Sequence, residues 1–315
     1  MTAPSSALFL DLGRELTLAF YGSELDSLWS GLVSPLHELF GSPRGLADFR
    51  AEVESHMGRE LRVVTETVTP WLGSTIYNRI AEFERFRKPV LIQWAFDPDG
   101  RAQGLMVTPV PEAGSTRALE HRTRTDLRLP FDDEWFVFWG GRDVVDNAHA
   151  ITRDQRFACD FVVVRGDGRG THEGDGTENE QYFCFGQRVV APAQGVVVAA
   201  EDGIADNRPG VMNARTPLGN HVIIDHSNSE YSFIAHLRNG TVAVRKGDVV
   251  RAGDLLGQCG NSGNSSEPHI HYHLQTKPRF GKGEGLPAQF LDYRADSVLV
   301  ERGEPRRGQR VCRTL

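Results

Sequence analysis

Residues 219–237 read GNHVIIDHSNSEYSFIAHL, and this stretch decides the fold of the second half of the chain. Two short apolar runs are separated by turn-forming residues, as in two strands joined by a tight turn. The same pattern continues on both sides, and we expect strands at 189–200, 219–226, 231–237, 241–245, 248–251 and 254–259. Because no helical periodicity interrupts these runs, this half is predicted to be mainly antiparallel β rather than βαβ.

A histidine-rich segment follows, in which residues 267–273 read EPHIHYH. A strand sends alternate side chains to the same face, so His269, His271 and His273 would project together. Neutral imidazole is a common zinc ligand, and a catalytic zinc usually takes three protein ligands and leaves one position for water. The segment therefore indicates part of a metal site, with a solvated polar strand face as the alternative.

Several separate motifs occur in order along this half of the chain. They are Asp160, AP-x-x-G-x-V at 191–197, His236-Leu237, two Gly-Asp pairs, G-x-S-G at 260–263 and P-H-x-H at 268–271. Together they resemble the LytM and lysostaphin-type zinc endopeptidases, over roughly residues 129–290. The resemblance implies a mainly antiparallel β peptidase domain that hydrolyses peptide cross-links of bacterial peptidoglycan with one bound Zn²⁺.

The resemblance also implies roles for individual residues. Asp160 and His271 match two of the zinc ligands of the family, while His236 and His269 match the two histidines near the bound water. Zinc polarises a scissile carbonyl and lowers the pKa of its water, a nearby imidazole can move a proton, and a second can stabilise an oxyanion. Which histidine takes which role stays open, and a core histidine is the alternative for His236.

One position departs from the family pattern. The first ligand histidine of the family lies four residues before the aspartate, where this chain has Arg156. A guanidinium has no lone pair and cannot ligate zinc, so either another residue replaces it or the metal is lost. His149, eleven residues before Asp160, is the nearest candidate, because a turn around 152–154 would return it to the aspartate strand. The chain also resembles a divergent branch with Asn-x-His before Gln-Arg-Phe-Ala-Cys-Asp, which favours His149 as the third ligand.

The remaining histidines of this half are interpreted as structural or solvated. His221 and His226 lie on opposite faces of one expected strand, and His172 lies in a loop. His273 shares the face of His271 and could orient it through a hydrogen bond. The glycine-rich, acidic segment 165–181 has few apolar residues, so we expect it to form a mobile wall of the substrate groove.

The N-terminal third has a different pattern. Apolar residues recur at helical spacing, and helices are expected at 6–21, 23–40 and 45–57, with Pro35 kinking or dividing the second. Strands are then expected at 61–69, 74–84, 88–96 and 103–109. Helices followed by an antiparallel sheet give an α+β unit that resembles the cystatin-like cone of nuclear-transport-factor-type domains. Such a cone often has a ligand pocket between helices and sheet, but a core filled with Trp and Phe is the favoured interpretation.

The sequence therefore predicts a multidomain chain. We expect an N-terminal α+β domain over 1–110, a polar linker over 111–128, a zinc peptidase-like β domain over 129–300 and a basic tail over 301–315. Both domains are long enough to bury a core. The four cysteines have no Cys-x-x-Cys spacing, so a zinc–thiolate site is not expected.

Charge and hydropathy exclude some classes of binding partner. A net charge of −7 argues against nucleic acid, and no run of apolar residues is long enough for a membrane span. The N-terminus lacks a basic segment followed by an apolar core, so no signal peptide is visible. Because the implied substrate is the cell wall, we nevertheless expect a location in the cell envelope or outside the cell.

Three functions fit these observations. The first is a zinc endopeptidase that acts on peptidoglycan cross-links. The second is a metal-free relative that binds or activates another cell-wall hydrolase. Arg156, which replaces the ligand histidine of the family, is the reason for this hypothesis. The third is a zinc peptidase for other small peptides. The presence of both His236 and His269 favours an enzyme over a binding module, because binding alone has no chemical need for them.

Overall fold

The chain divides into two compact units. A computed structural model describes residues 6–22, 25–166, 168 and 170–314. The first unit extends to Pro111 and the second begins at Glu112. The predicted multidomain class, an α+β unit followed by a mainly antiparallel β unit, is confirmed by the elements found in each.

Four helices open the first unit. They are α1 (Ser6–Tyr21), α2 (Leu25–Gly31), α3 (Ser34–Phe40) and α4 (Pro43–Met57). The expected helix over 23–40 is divided in two, because Pro35 lies in the first turn of α3, where its missing N–H costs nothing. Ser42 caps α4 by accepting a hydrogen bond from the Gly45 N–H, and Gly58 ends it with a φ of 71°.

A four-stranded antiparallel sheet packs with these helices. Its strands, in spatial as well as chain order, are β1 (Glu60–Trp71), β2 (Ser74–Phe83), β3 (Val90–Phe96) and β4 (Ala102–Pro109). Trp94 is fully buried, and its indole N–H donates to Thr17 Oγ1 of α1 at 3.0 Å. Phe20 packs edge-on against Trp94. Aromatic side chains thus fill the space between helices and sheet, while the likeness to a cystatin-like cone stays a prediction.

The second unit is built of short strands. In chain order they are β5 (Trp135–Trp139), β6 (Cys159–Val162), β7 (Arg188–Val190), β8 (Gly195–Glu201), β9 (Asn220–Asp225), β10 (Tyr231–Leu237), β11 (Val249–Val250), β12 (Leu255–Gln258), β13 (Ile270–Gln275), β14 (Gly285–Leu286), β15 (Phe290–Ala295), β16 (Val298–Gly303) and β17 (Arg310–Arg313). Within the described residues, its helical segments are two 3-10 turns, Ala148–Ile151 and Asn179–Gln181.

Strand order in the large sheet brings distant residues together. The order is β11-β8-β9-β10-β13-β6-β5-β17-β15-β16, with β14 at the end of β13, and β12 pairs with β7 separately. The strand β13 therefore lies between β10 and β6. Its register places His271 opposite Asp160 on one side and opposite Ala235 on the other. A buried apolar core lies beneath this part of the sheet.

Three expectations about this half differ from the structure. Residues 241–245 form no strand, although the Ala243 N–H donates to Leu256 O at 2.9 Å. The expected linker 111–128 belongs from Glu112 onward to the second unit, where Leu127 is fully buried. The expected tail 301–315 contains β17, which pairs with β5 and β15. The strand β17 is only four residues long, so its alternation of apolar residues was too short to predict this pairing.

Among the residues that the structure describes, no helix is both long enough and apolar enough to span a bilayer.

Candidate metal centre

Two imidazoles flank a buried carboxylate at the centre of the large sheet. His149 Nε2 lies 2.9 Å from Asp160 Oδ2, and His271 Nδ1 lies 2.9 Å from Asp160 Oδ1. One ligand atom from each of these residues lies within 4.8 Å of the other two. The structure thus brings together the three residues that the sequence suggested as metal ligands. Asp160 and His271 are placed by strand pairing, whereas His149 comes from a turn.

The turn that carries His149 is held by two polar side chains. Asn147 caps the 3-10 turn Ala148–Ile151 by accepting from the His149 N–H, and its amide donates to Ala158 O at 3.0 Å. Arg156 is buried and donates to Gly114 O at 2.7 Å and to Ala150 O at 3.3 Å. The arginine at the family's ligand position therefore supports the turn from which His149 reaches the aspartate.

Two further histidines line the same centre. The ring of His236 lies 4.7 Å from that of His269 and 5.8 Å from that of His271, between centroids. His236 Nδ1 is 2.8 Å from Ser262 O, and His269 Nδ1 is 2.8 Å from Glu267 O. Since a carbonyl only accepts, each Nδ1 carries the proton, and Nε2 of both rings is left with a lone pair.

The backbone at His236 is unusual. Its φ is 63°, a left-handed conformation that a bulky residue rarely adopts. The pairing of β10 with β9 shifts register between Ile234 and Leu237, so the residue sits in a β-bulge. A bulge re-aims a side chain out of the normal alternation. This distortion allows Ala235 and Leu237 to be buried while His236 joins the other histidines.

The electrostatics of the cluster favour a negative Asp160 and neutral rings at His236 and His271, but not at His149. Burial alone would raise the pKa of Asp160, but His149, His269 and His271 hold it well below its usual range. Burial would lower the pKa of His149, yet the Asp160 carboxylate beside it leaves that pKa raised. Burial lowers the pKa of His271 and, with two neighbouring imidazoles, brings the pKa of His236 far below its usual value.

This donor set fits a zinc ion. Two imidazole nitrogens and one carboxylate oxygen are a common set for a catalytic zinc, which keeps its fourth position open. Among the described residues, Asp160 lies within ion-pair distance of three imidazoles, whose nitrogens have lone pairs that a metal can take. A cation between these groups would match their facing lone pairs. Asp160 is 6% exposed and His271 is 2% exposed, so the centre is shielded on the sheet side.

The other histidines that the sequence analysis considered lie outside the cluster, with one exception. His221 Nδ1 bonds to Gly219 O, His226 contacts Gln194 O and Ser232, and His172 packs against Tyr182. These three have the structural roles expected from the sequence. His273 is the exception, because its Nδ1 lies 2.9 Å from His271 Nε2. A hydrogen bond between these two was anticipated, but not the complete burial of His273, which is 1% exposed.

The acidic segment 165–181 touches the loop that carries the histidine motif. Thr171 Oγ1 donates to the Glu267 carboxylate at 3.4 Å, and the Asn179 amide oxygen accepts from Asn261 at 3.0 Å. Part of the expected groove wall, at positions 167 and 169, lies outside the described residues. Burial raises the pKa of Glu267, which lies between this segment and His269.

Comparison with known proteins agrees with this geometry. Residues 181–282 match the model of Peptidase family M23, so this part of the chain is an M23 peptidase domain and the predicted family is confirmed. The matched range contains His236, His269 and His271. His149 and Asp160 precede it.

Similar proteins carry related names. The peptidoglycan DD-endopeptidases ShyA and ShyC of Vibrio cholerae are 34% identical over 84 residues and 32% identical over 89 residues. These matches cover 26% and 28% of this chain but only 18% and 19% of those proteins. The M23 metalloprotease pseudoalterin, from the deep sea, is a solved structure with 19% identity and a TM-score of 0.33, over 61% of this chain and 96% of pseudoalterin.

Proposed function

We propose that this protein is a zinc-dependent endopeptidase that hydrolyses the peptide cross-links of bacterial peptidoglycan. The observation that carries the proposal is the meeting of His149, Asp160 and His271 within 4.8 Å, beside two imidazoles with fixed Nδ1 protons. Membership of residues 181–282 in Peptidase family M23 supports a metallopeptidase at the level of the family.

Three residues would hold one Zn²⁺. They are His149 through Nε2, Asp160 through its carboxylate and His271 through Nδ1, the atoms that face one another. When bound there, zinc supplies Lewis acidity and a water of lowered pKa. The carboxylate of Asp160 stays ionised, since its pKa is held well below the usual range.

His236 and His269 would act on the substrate side of the centre. Their Nδ1 protons are committed to the carbonyls of Ser262 and Glu267, so the Nε2 lone pairs are available to accept a proton from water. After accepting it, either ring becomes a donor for the leaving amine or for an oxyanion. Burial and the two imidazoles beside it keep the pKa of His236 low, which favours proton return over retention.

The substrate class rests on the relatives. ShyA and ShyC are named peptidoglycan DD-endopeptidases, and residues 181–282 of this chain match Peptidase family M23. A peptidoglycan substrate would place the protein in the cell envelope or outside the cell. Since the net charge is −7, attraction to anionic wall polymers would not drive binding, so the peptide must be recognised in the groove.

A metal-free binding module is the second candidate, because Arg156 cannot ligate zinc. Its buried guanidinium donates to the turn that carries His149 instead. This contact favours replacement of the missing ligand over loss of the metal. A peptidase for other small peptides is the third candidate and differs from the first only in substrate.

The test combines metal content with cell-wall digestion. We expect about one zinc per purified chain by mass spectrometry, loss of that zinc in His149→Ala and Asp160→Ala, and release of soluble fragments from purified sacculi. His221→Ala removes an imidazole outside the cluster and is the matched control. A parent chain that takes up no zinc after supplementation would favour the binding module. Bound zinc with intact sacculi and cleaved small peptides would favour the third candidate.

A further inference from the structure

The metal-facing ring of His271 is bonded at its back to a second buried ring. His271 Nε2 lies 2.9 Å from His273 Nδ1, and His273 is 1% exposed. We propose that Gln275 and His273 form a directional hydrogen-bond chain that keeps a proton on Nε2 of His271 and so presents its Nδ1 as a metal ligand. This inference rests on the proposed zinc site, and it assigns His273 and Gln275 as positioning residues.

The direction of the chain is set at Gln275. The side-chain amide nitrogen donates to Lys277 O at 2.6 Å and to Arg279 O at 3.1 Å. Carbonyls only accept, so the amide cannot flip without losing both bonds. The amide group is also wedged against Gly283, where an added Cβ would lie 2.9 Å from the amide carbon. The amide oxygen of Gln275 is thereby held as an acceptor.

The fixed amide oxygen of Gln275 determines which ring nitrogen of His273 carries the proton. Within the described part of the chain, the Gln275 oxygen and His273 Nε2 are both buried without a hydrogen-bond partner. They belong to side chains two residues apart on the same face of β13, and the Gln275 side chain interacts with the His273 ring. A hydrogen bond from His273 Nε2 to the Gln275 oxygen would satisfy both buried atoms. Since the oxygen is an acceptor, His273 must carry its proton on Nε2, which leaves Nδ1 as an acceptor.

The orientation and the tautomer of the His273 ring are restricted by its surroundings. It stacks on Phe233 with a centroid distance of 4.4 Å and an interplanar angle of 17°. Its complete burial disfavours the doubly protonated form. The opposite neutral tautomer would turn a lone pair toward the Gln275 oxygen, and two acceptors would then face each other in a buried site.

The tautomer of His273 in turn determines the position of the proton on His271. With His273 Nδ1 as an acceptor, the bond between the two rings requires that His271 Nε2 donate. Its Nδ1, which lies 2.9 Å from Asp160 Oδ1, is then the ring nitrogen left to bind a metal. A metal-bound histidine needs this distribution, because the hydrogen bond of one ring nitrogen decides which nitrogen is free to bind. Two backbone carbonyls thus fix the tautomer of a ligand three side chains away.

Nitrogen-15 NMR of the histidine rings tests the chain without metal or activity. In the metal-free parent we expect His273 to be protonated on Nε2, and His271 Nε2 to carry the proton that it donates to His273 Nδ1. In Gln275→Leu the anchored acceptor is gone, and we expect a mixture of tautomers at both rings. His226, which has separate partners in Gln194 and Ser232, should keep its signals and report an intact fold. Protonation of His273 on Nδ1 in the parent, or unchanged tautomers in Gln275→Leu, would overturn the proposal.

Zinc affinity gives the second readout, measured by competition with a chromogenic chelator. His273→Leu removes the acceptor, and we expect zinc to bind about 10- to 100-fold more weakly. His273→Gln restores an acceptor oxygen and should recover most of that loss. Equal losses in both variants would mean that His273 only fills space. If the parent binds no zinc, the proposed function fails, while the NMR result still decides the hydrogen-bond chain.

Discussion

Each unit of this protein holds a carboxylate among several partners, but the partners differ in kind. In the first unit, Glu66 accepts from Arg14 at 2.7 Å, from Arg79 at 2.7 Å and from the Tyr77 hydroxyl at 2.5 Å. In the second unit, Asp160 meets the imidazoles of His149 and His271. Both carboxylates have a pKa below the usual value despite burial, which opposes it. A shifted pKa therefore does not separate a structural cluster from a functional one.

The chemistry of the partners does separate them. Guanidinium groups are permanent donors without lone pairs, so the Glu66 cluster is complete without a ligand. Imidazole nitrogens have lone pairs, and the rings of His271 and His269 beside Asp160 are oriented by hydrogen bonds at their other nitrogen. The second cluster can therefore accept a cation, whereas the first already contains its cations.

The largest effect should come from neutralising each carboxylate with its amide. Asp160→Asn is expected to lose bound zinc and all sacculus digestion, because the only anionic ligand of the proposed set is removed. Glu66→Gln should keep both and show only lower thermal stability. Metal content and fragment release are the measurements. Zinc retained in Asp160→Asn would show that the Asp160 carboxylate is not needed for metal binding, and the proposed difference between the two clusters would fail.

A smaller loss should follow from removing the imidazoles that do not bind metal. His269→Ala and His236→Asn are expected to retain zinc while hydrolysis falls by about 10²- to 10⁴-fold, the usual range for general acid–base groups. Zinc content and initial rates on sacculi measure the two effects separately. If either variant loses its zinc, the assignment of ligands would need revision.

Arg156 should have an intermediate effect, through the turn that holds His149. Arg156→Met removes its bonds to Gly114 O and Ala150 O, and we expect zinc affinity to fall about 10- to 100-fold. Arg128→Met is the matched control, because Arg128 also donates to backbone carbonyls, those of Leu129 and Phe131. Equal affinity in both variants would show that Arg156 does not support His149.

Glu230 should have the smallest effect on function. This fully buried carboxylate accepts from the backbone N–H of Arg124 and Thr125 and lies 2.9 Å from His121 Nε2. Burial opposes ionisation, but these bonds leave the pKa of Glu230 lowered. It should therefore resemble Glu66, with Glu230→Gln binding zinc normally and losing about 1–3 kcal/mol of stability at pH 7.

The pH dependence of this loss has a definite sign. A carboxylate whose folded pKa is depressed stabilises the protein fully above its unfolded pKa of about 4.3, and this contribution disappears as pH falls through the lower folded value. The stability gap between parent and Glu230→Gln should thus be widest at neutral pH and narrow in acid. Denaturant unfolding at both pH values measures it, and a gap that widens in acid would contradict the assignment.

Much of the fold follows from local patterns. The helices α1 and α4 and the four strands of the first unit lie close to their predicted positions, because amphipathic periodicity and capping residues are local signals. Residues 241–245 show where such signals fail. Their alternation suggests a strand, but the neighbouring chain supplies only isolated hydrogen bonds there. Pairing depends on tertiary context, which alternation alone does not contain.

Part of the candidate site could also be predicted from the sequence. The motif around His271 and the family resemblance indicated Asp160, His236 and His269, and left His149 as one alternative. The sequence could not show that β13 pairs with both β6 and β10, a register that joins residues more than a hundred positions apart. Nor could it show the backbone contacts of Gln275, which are visible only once the loop after β13 is folded.

The left-handed backbone at His236 also limits which sequences this protein can explore. At a φ of 63° the β-branched residues are strongly disfavoured, while glycine and asparagine are tolerated best. A mutational library at this position would therefore enrich Gly and Asn among folded but inactive variants, and deplete Val and Ile before activity is even assayed. Position 236 thus has two independent filters, one for expression and one for catalysis, and a screen that scores only activity would confuse them.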